Sequence, residues 1–478
     1  MKETTRKILD IFEEVSKIPR CSKNEEAIAN WLKNWAKEHN FSVKSDDVDN
    51  ILITIPATEG YEDSPILVLQ GHMDMVCEKT PDSDHDFAKD PIELVYEDGW
   101  LTANNTTLGA DNGIAIAMAL ALATDKSVKH PPLELLFTVD EETGLTGANA
   151  LTSDFLDGRI LLNIDSEDEG VFTVGCAGGR NTKISLDVER ENIYKSFDCY
   201  KLSATGMMGG HSGMDIDKHR ANANVILART LNQLKQKNEI RLISISGGTA
   251  HNAIPRDAEA IIAFNSTNFE AIKEIVSDFE KTVTYEYQKE TSLKLNLKET
   301  EKVDKIITEA DTNRIIDMLI ALPNGISEMS ADIEDLVETS DNIATMRTEK
   351  ETLTVLISQR SSVMSRREEL TAKITAIASL AEADVENGEG YPAWQPNLDS
   401  EVLKKCKEIY TQVFGNAPTV EAIHAGLECG VIGAKYDGMD MISFGPTIKN
   451  PHSPDERIEI ETIGQVWDFL VALVESYQ

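Results

Sequence analysis

Residues 135–144 read LLFTVDEETG. An apolar run enters three adjacent acids, Asp140, Glu141 and Glu142. Like charges side by side repel, and a carboxylate is costly to bury unless it is paired or bound to a cation. The stretch is therefore either a strand running into a solvated turn or a strand ending at a metal. Working outward, the same pattern recurs in ILITIP (51–56), PILVLQGHMD (65–74), LELLFTVDEE (133–142) and GRILLNIDSE (158–167). Between the second and third of these, LGADNGIAIAMALALATD (108–125) is a Gly-containing turn opening into an Ala-rich helix, with Asp111 just before it. Short apolar strands alternating with helices predict an α/β fold with a largely parallel central sheet. In such sheets ligands bind beyond the carboxyl ends of the strands, where all but the first of these runs carry acids or a histidine.

Those strand ends supply His72, Asp74, Asp111, Glu141, Glu142 and Asp165, and the loop NPHSPDE adds His452. Two histidines and several carboxylates form a mixed nitrogen and oxygen donor set, which suits zinc, manganese or cobalt better than magnesium or calcium. Side chains alternate along a strand, so His72 and Asp74 share a face, and Asp74 can accept the second ring N–H of His72. Glu141 and Glu142 diverge, so one can bind metal while its neighbour acts as a base. Asp140 has no such role and is expected to face solvent. Any one of these features alone is ordinary surface chemistry; their recurrence in order on one α/β plan points to a metal hydrolase.

From GCAGGR (175–180) the texture changes to an α+β pattern that runs to about residue 390. HNAIPRDAEAIIAFNST (251–267) followed by a helix echoes DNIATMRTEKETLTVLISQRSS (341–362) followed by a helix. ENGEGYPAWQPN (386–397) reads as a linker. The expected organisation is a catalytic domain from 1–179 plus 391–478, interrupted by an inserted domain over 180–390, within which the echo suggests two related halves.

The chain has 478 residues and a net charge of −36, which disfavours nucleic acid as a partner. No apolar run reaches the roughly 20 residues of a membrane span. The opening MKETTRKILDIFEEVSKI is an acid-laced amphipathic helix rather than a signal peptide. A cytoplasmic protein is expected, and its six cysteines, without a CxxC pair, are expected to be reduced thiols. His39, His85 and His130 are expected at the surface.

GHMDMV, LGADNG, DEETGLTGA, NIDSE and PHSPDE together resemble the dinuclear zinc exopeptidase clan. LGADNGIAIAMALA, GGHSGMDIDKHRANAN, HAGLECG and ISFGPTIKNPHSPDER resemble more narrowly its cytosolic non-specific, aminoacyl-histidine (carnosinase-like) dipeptidase branch. The resemblance spans essentially the whole chain. It implies a phosphorylase/hydrolase-like catalytic domain with an inserted α+β lid that also serves homodimerisation. It implies one zinc on His72, Asp111 and Asp165, a second on Asp111, Glu142 and His452, support of His72 by Asp74, and Glu141 as general base. Manganese or cobalt can substitute. His211 in GGHSG matches a lid histidine that reaches the scissile carbonyl oxygen. Asn252, Arg360 and Gly426 match positions that hold substrate. The implied reaction is hydrolysis of dipeptides, β-alanyl-histidine among them. An N-acyl-amino-acid deacylase or tripeptidase of the clan is the alternative, and a catalytically silent binding protein on this fold is the alternative from another class.

Overall fold

The computed structural model describes residues 2–478, which divide into two compact units. The first comprises residues up to Cys176, Trp394–Ala422 and Leu427–Gln478; the second comprises Ala177–Ala393 and Ile423–Gly426. Each has its own apolar core.

The first unit is built on an eight-stranded sheet. Across it lie Ser42–Ser45, Ile51–Ile55, Leu133–Thr138, Leu67–His72, Ile160–Asn163, Asp440–Ser443, Val171–Cys176 and Thr419–Ile423. The four from Leu133–Thr138 to Asp440–Ser443 run parallel, while Ile51–Ile55 pairs antiparallel on one side and Val171–Cys176 on the other. The sheet is thus parallel only at its centre. Leu67–His72 and Leu133–Thr138 are buried along their whole length, as expected of strands covered on both faces. The helix Ala110–Thr124 is apolar on every side because it is covered on every side: it packs against the strand Leu67–His72 and the helix Glu3–Val15. The acids that follow the strands in sequence, Asp74, Glu141, Glu142 and Asp165, lie just beyond the strand ends at His72, Thr138 and Asn163, where they gather at one rim.

The second unit contains a sheet ordered Lys294–Glu299, Phe197–Thr205, Ala258–Asn265, Ile240–Gly247, Val337–Glu349, Thr352–Ser361, Gly178–Asp187 and Asp384–Asn387, with Gly325–Met329 attached to Val337–Glu349. One half of this order mirrors the other. One half runs strand, helix, strand, strand, helix, strand, with helices Ala223–Lys237 and Phe269–Glu286; the other repeats this with Glu309–Ala321 and Met364–Leu380, its opening strand Gly178–Asp187 preceding the first half in the chain and Gly325–Met329 added before Val337–Glu349. The two meet where Ser246 and Gly247 pair with Arg347 and Met346.

Three expectations fail. Cys21 and Cys77 form a disulfide, with Cα atoms 5.7 Å apart, whereas Cys176, Cys199, Cys406 and Cys429 are buried thiols. The pair was invisible as a motif because 56 residues separate its members. His130 is buried, with its ring Nδ1 against the carbonyl of Pro131. Asp140 does not face solvent. It is 5% exposed, accepts hydrogen bonds from the hydroxyls of Thr143 and Thr146, and its backbone N–H donates to Glu25. It folds the turn that aims Glu141 and Glu142.

Candidate metal centre and its supporting residues

At the rim of the first unit's sheet the donors form two triads, His72 with Asp111 and Asp165, and Asp111 with Glu142 and His452. Within each, the donor atoms lie within 4.8 Å of one another. Asp111 divides its oxygens between them: Oδ1 is 3.0 Å from His72 Nε2, and Oδ2 is 3.1 Å from His452 Nε2. His72 Nε2 is 3.5 Å from Asp165 Oδ1, and His452 Nε2 is 3.1 Å from Glu142 Oε2. A tetrahedral shell with bonds of about 2.0–2.1 Å puts neighbouring donors about 3.3 Å apart, so these separations fit small divalent cations. Glu142 Oε1 is buried with no hydrogen-bond partner among the described residues, a donor atom awaiting a cation.

The donors also act on one another through charge. Burial would depress the His72 imidazolium, but Asp165, Asp111 and Asp74 override it and hold its pKa well above the usual value. Hydrogen bonds to Asp111 and Glu142 lift His452 to about 11. Burial raises Asp165 to about 6 against the pull of His72, and drives Glu141 well above the carboxylate range, helped by Asp165 and Glu142. Glu141 lies with His72 and Glu142 in one cluster, beside the triads, where a carboxyl is within reach of both donor sets.

Asp74 ties the site together. Its Oδ1 lies 3.2 Å from His72 Nδ1 and accepts the N–H of Glu141, while Oδ2 accepts the N–H of Glu142 and the Ser22 hydroxyl. Burial opposes its ionisation, yet the hydrogen bond and charge of His72 win and lower its pKa to about 2. One carboxylate thus fixes an imidazole and the turn that carries two acids.

Further supports carry no sequence signature. The Arg20 guanidinium is buried and donates to the carbonyls of Met73, Asp74 and Gly109, joining the loop after His72 to the turn before Asp111. Gly109, at φ +70, lies so close that a Cβ there would meet Arg20 Nη2 at 2.5 Å. The Glu456 carboxylate accepts the backbone N–H groups of Leu108, Gly109, Ala110 and Asp111. Asn112 accepts the N–H of His72 and donates to the carbonyl of Ile164, linking two strand ends. Glu456 stood within the PHSPDE motif, which was the one available hint.

The family pattern of Peptidase family M20/M25/M40 matches residues 68–476, which include both triads. The chain belongs to this family. It is also 40% identical over 470 residues to the cytosol non-specific dipeptidase of Escherichia coli strain K12, covering 98% of this chain and 96% of that protein. The crystal structure of aminoacylhistidine dipeptidase from Vibrio alginolyticus superposes with a TM-score of 0.89 at 42% identity, covering 98% of this chain and 96% of that one. The aminopeptidase PepT of Bacillus cereus, at a TM-score of 0.59 and 16% identity, shares the fold over 99% of this chain and 98% of its own. Family membership and the paired donor clusters make this M20 chain a metal-dependent peptidase.

The second unit of the M20 chain holds a separate polar group. His211 and Ala253 pair in a two-stranded ladder that sets Asn252 beside His211, and the carbonyl of Asn252 accepts the N–H of Ser212. His211 Nδ1 accepts the N–H groups of Gly213 and Met214, which assigns the proton of a neutral ring to Nε2. Arg360 Nη2 stands 3.5 Å from that Nε2. Gly213 packs among them: an added Cβ would meet the carbonyl of His424 at 2.3 Å and Arg360 Cδ at 3.3 Å. His424 is buried against the Ser340 hydroxyl at 2.7 Å. Burial, and then Arg360, hold it neutral, with its pKa down to about 3.

Proposed function

We propose that this chain is a cytoplasmic dipeptidase using two zinc ions, which manganese or cobalt can replace. The observation that carries this reading is the division of Asp111 between two donor triads with Glu141 alongside. His72, Asp111 and Asp165 would hold one ion, and Asp111, Glu142 and His452 the other. When bound, two such ions supply Lewis acidity that polarises a carbonyl and makes water acidic near neutral pH.

The chain's own groups do the rest. Glu141, beside both triads, would take the proton of the attacking water and hand it to the leaving amine. Asp74 keeps His72 in the tautomer that leaves Nε2 to ligate. His211, with its proton on Nε2, would donate to the carbonyl oxygen as negative charge develops, a contribution of roughly 3–4 kcal/mol for one such donor. Arg360 and Asn252 would hold the substrate carboxylate, and the backbone at Gly426 would contact the substrate. Substrates would be dipeptides, Xaa-His compounds such as β-alanyl-histidine among them. The names of the Escherichia coli and Vibrio alginolyticus relatives support that class. The second unit would act as lid and as homodimer surface.

The test is metal-dependent cleavage of a dipeptide panel, with a tripeptide and an N-acylated amino acid alongside, for wild type and Glu141→Ala. Dipeptides should be cleaved, a chelator should abolish this, and Glu141→Ala should keep both metals while losing turnover at least a hundred-fold, the low end for general acid–base catalysis. Cleavage of the tripeptide or acylated compound alone would overturn the substrate class. Two bound metals with no cleavage of any compound would overturn the hydrolytic reading.

A further inference from the structure

Residue Tyr391 lies in the segment between Asp384–Asn387 and the return of the chain to the first unit, a stretch that reads as a plain linker. The structure gives it a built environment. Its backbone forms a two-way bridge with Gly179, N–H to carbonyl in both directions, and its carbonyl also accepts from Arg367 Nη1 at 2.7 Å. The ring lies against two glycines. A Cβ on Gly179 would meet its Cζ and hydroxyl at 2.5 Å, and a Cβ on Gly426 would meet its Cε2 at 2.7 Å. Both positions have to be glycine for the ring to lie where it does.

The phenol oxygen accepts a hydrogen bond from Arg360 Nη1 at 3.0 Å. A guanidinium offers a carboxylate two edges, one made of Nη1 and Nη2 and one made of Nε and Nη2. Tyr391 takes one N–H of Nη1 and so competes with a ligand for the first. The second edge remains: Nη2 points toward His211 Nε2, and Nε is buried with no hydrogen-bond partner among the described residues. Arg360 is 7% exposed, so an orphaned N–H there is costly unless a ligand satisfies it.

We propose that Tyr391 is a positioning residue for substrate recognition. It pins the Arg360 guanidinium so that its Nε and Nη2 edge takes the free carboxylate of the substrate side-on. Gly179 and Gly426 matter because they admit the Tyr391 ring. This assigns Gly426 a role through packing, in addition to any backbone contact with substrate. The proposal rests on the reading of Arg360 as the carboxylate-binding residue.

The experiment compares a dipeptide with its C-terminal amide, measuring KM and kcat separately for wild type, Arg360→Ala, Tyr391→Phe and Gly426→Ala, each with thermal melting and zinc content recorded. Tyr391→Phe keeps the ring and loses only the hydroxyl. It should raise KM for the free dipeptide about ten-fold, the size of one hydrogen bond to a charged group, leave kcat within two-fold, and leave the amide unaffected. Gly426→Ala keeps the hydroxyl but displaces the ring, and should shift the same KM in the same direction. Adding Tyr391→Phe to it should then bring little further change. If Arg360→Ala abolishes the preference for the free carboxylate while Tyr391→Phe leaves it intact, the proposal is overturned and the reading of Arg360 stands. If Arg360→Ala also leaves that preference intact, the reading of Arg360 fails and the proposal with it. Equal losses on dipeptide and amide in Tyr391→Phe would mark a general structural effect and would likewise overturn it.

Discussion

Replacing Arg20 with methionine should loosen both loops of the metal centre at once. In the folded protein the guanidinium is fully enclosed and donates to three carbonyls, at Met73, Asp74 and Gly109. Methionine fills similar space but donates nothing. Three hydrogen bonds from a charged donor are lost, at about 2 kcal/mol each, or about 6 kcal/mol in all; the Met73 carbonyl is left without a partner among the described residues, while those of Asp74 and Gly109 keep His72 Nδ1 and the Gly113 N–H. Part of this is returned, because enclosing the cation is itself costly. Burial lowers the Arg20 pKa from 12.5 to about 10, and that shift corresponds to about 3 kcal/mol of charge burial that methionine avoids. The net loss is about 3 kcal/mol. It should be read by urea unfolding of the metal-free protein, and accompanied by weaker zinc binding at both triads, since Arg20 touches the loop after His72 and the turn before Asp111. Arg20→Lys should recover only part, because one ammonium cannot span all three carbonyls. A loss below 1 kcal/mol with unchanged zinc binding would show that the two loops hold themselves, and the argument would be wrong.

Other outcomes follow from the same geometry. Asp111→Asn should reduce zinc binding at both positions, whereas Asp165→Asn and Glu142→Gln should each weaken one; a titration monitored by calorimetry separates one site from two. Replacing Cys21 and Cys77 together with serine opens a loop of 56 residues' separation and should reduce unfolding stability by about 2–4 kcal/mol. Dithiothreitol should do the same to wild type and nothing to the variant. His424 is held near a pKa of about 3 against 6.5 when unfolded. Its folded pKa is depressed, so the unfolded chain gains a proton first as pH falls below 6.5, and the folded state loses about 3 kcal/mol between pH 7 and 4.5. In His424→Gln that increment of acid sensitivity should vanish in paired urea titrations.

The strands that carry the site were legible because their cores are short unbroken apolar runs ended by charge, as in LVLQGH and LELLFT, and because each end delivers a donor residue type. Family motifs then named the partners of those donors. What stayed hidden acts through the backbone or over long distances. Arg20 sits in KIPRCSK, whose pattern says nothing about three carbonyls in two other loops. Asp140 looked like one more solvated acid because its partners are two threonine hydroxyls and a backbone turn. Tyr391 reads as part of a linker, since the glycines that seat it are distant in sequence. The outer strands Ser42–Ser45 and Thr419–Ile423 are short and partly polar, so no periodicity announces them, and the sheet read as more uniformly parallel than it is.

The donors of the metal centre are strung along the chain in a telling order. His72, Asp111 and Asp165 leave the ribosome early, so all donors of the first triad precede the second unit. Glu142 also emerges early, but the second triad waits for His452, which arrives only after the whole of the second unit has been synthesised. Glu456, which gathers the turn bearing Asp111, arrives in the same late stretch. A nascent chain can therefore carry every acid of both triads yet lack the imidazole that completes the second. The second triad is thus closed by a segment that lies beyond the inserted unit in the chain.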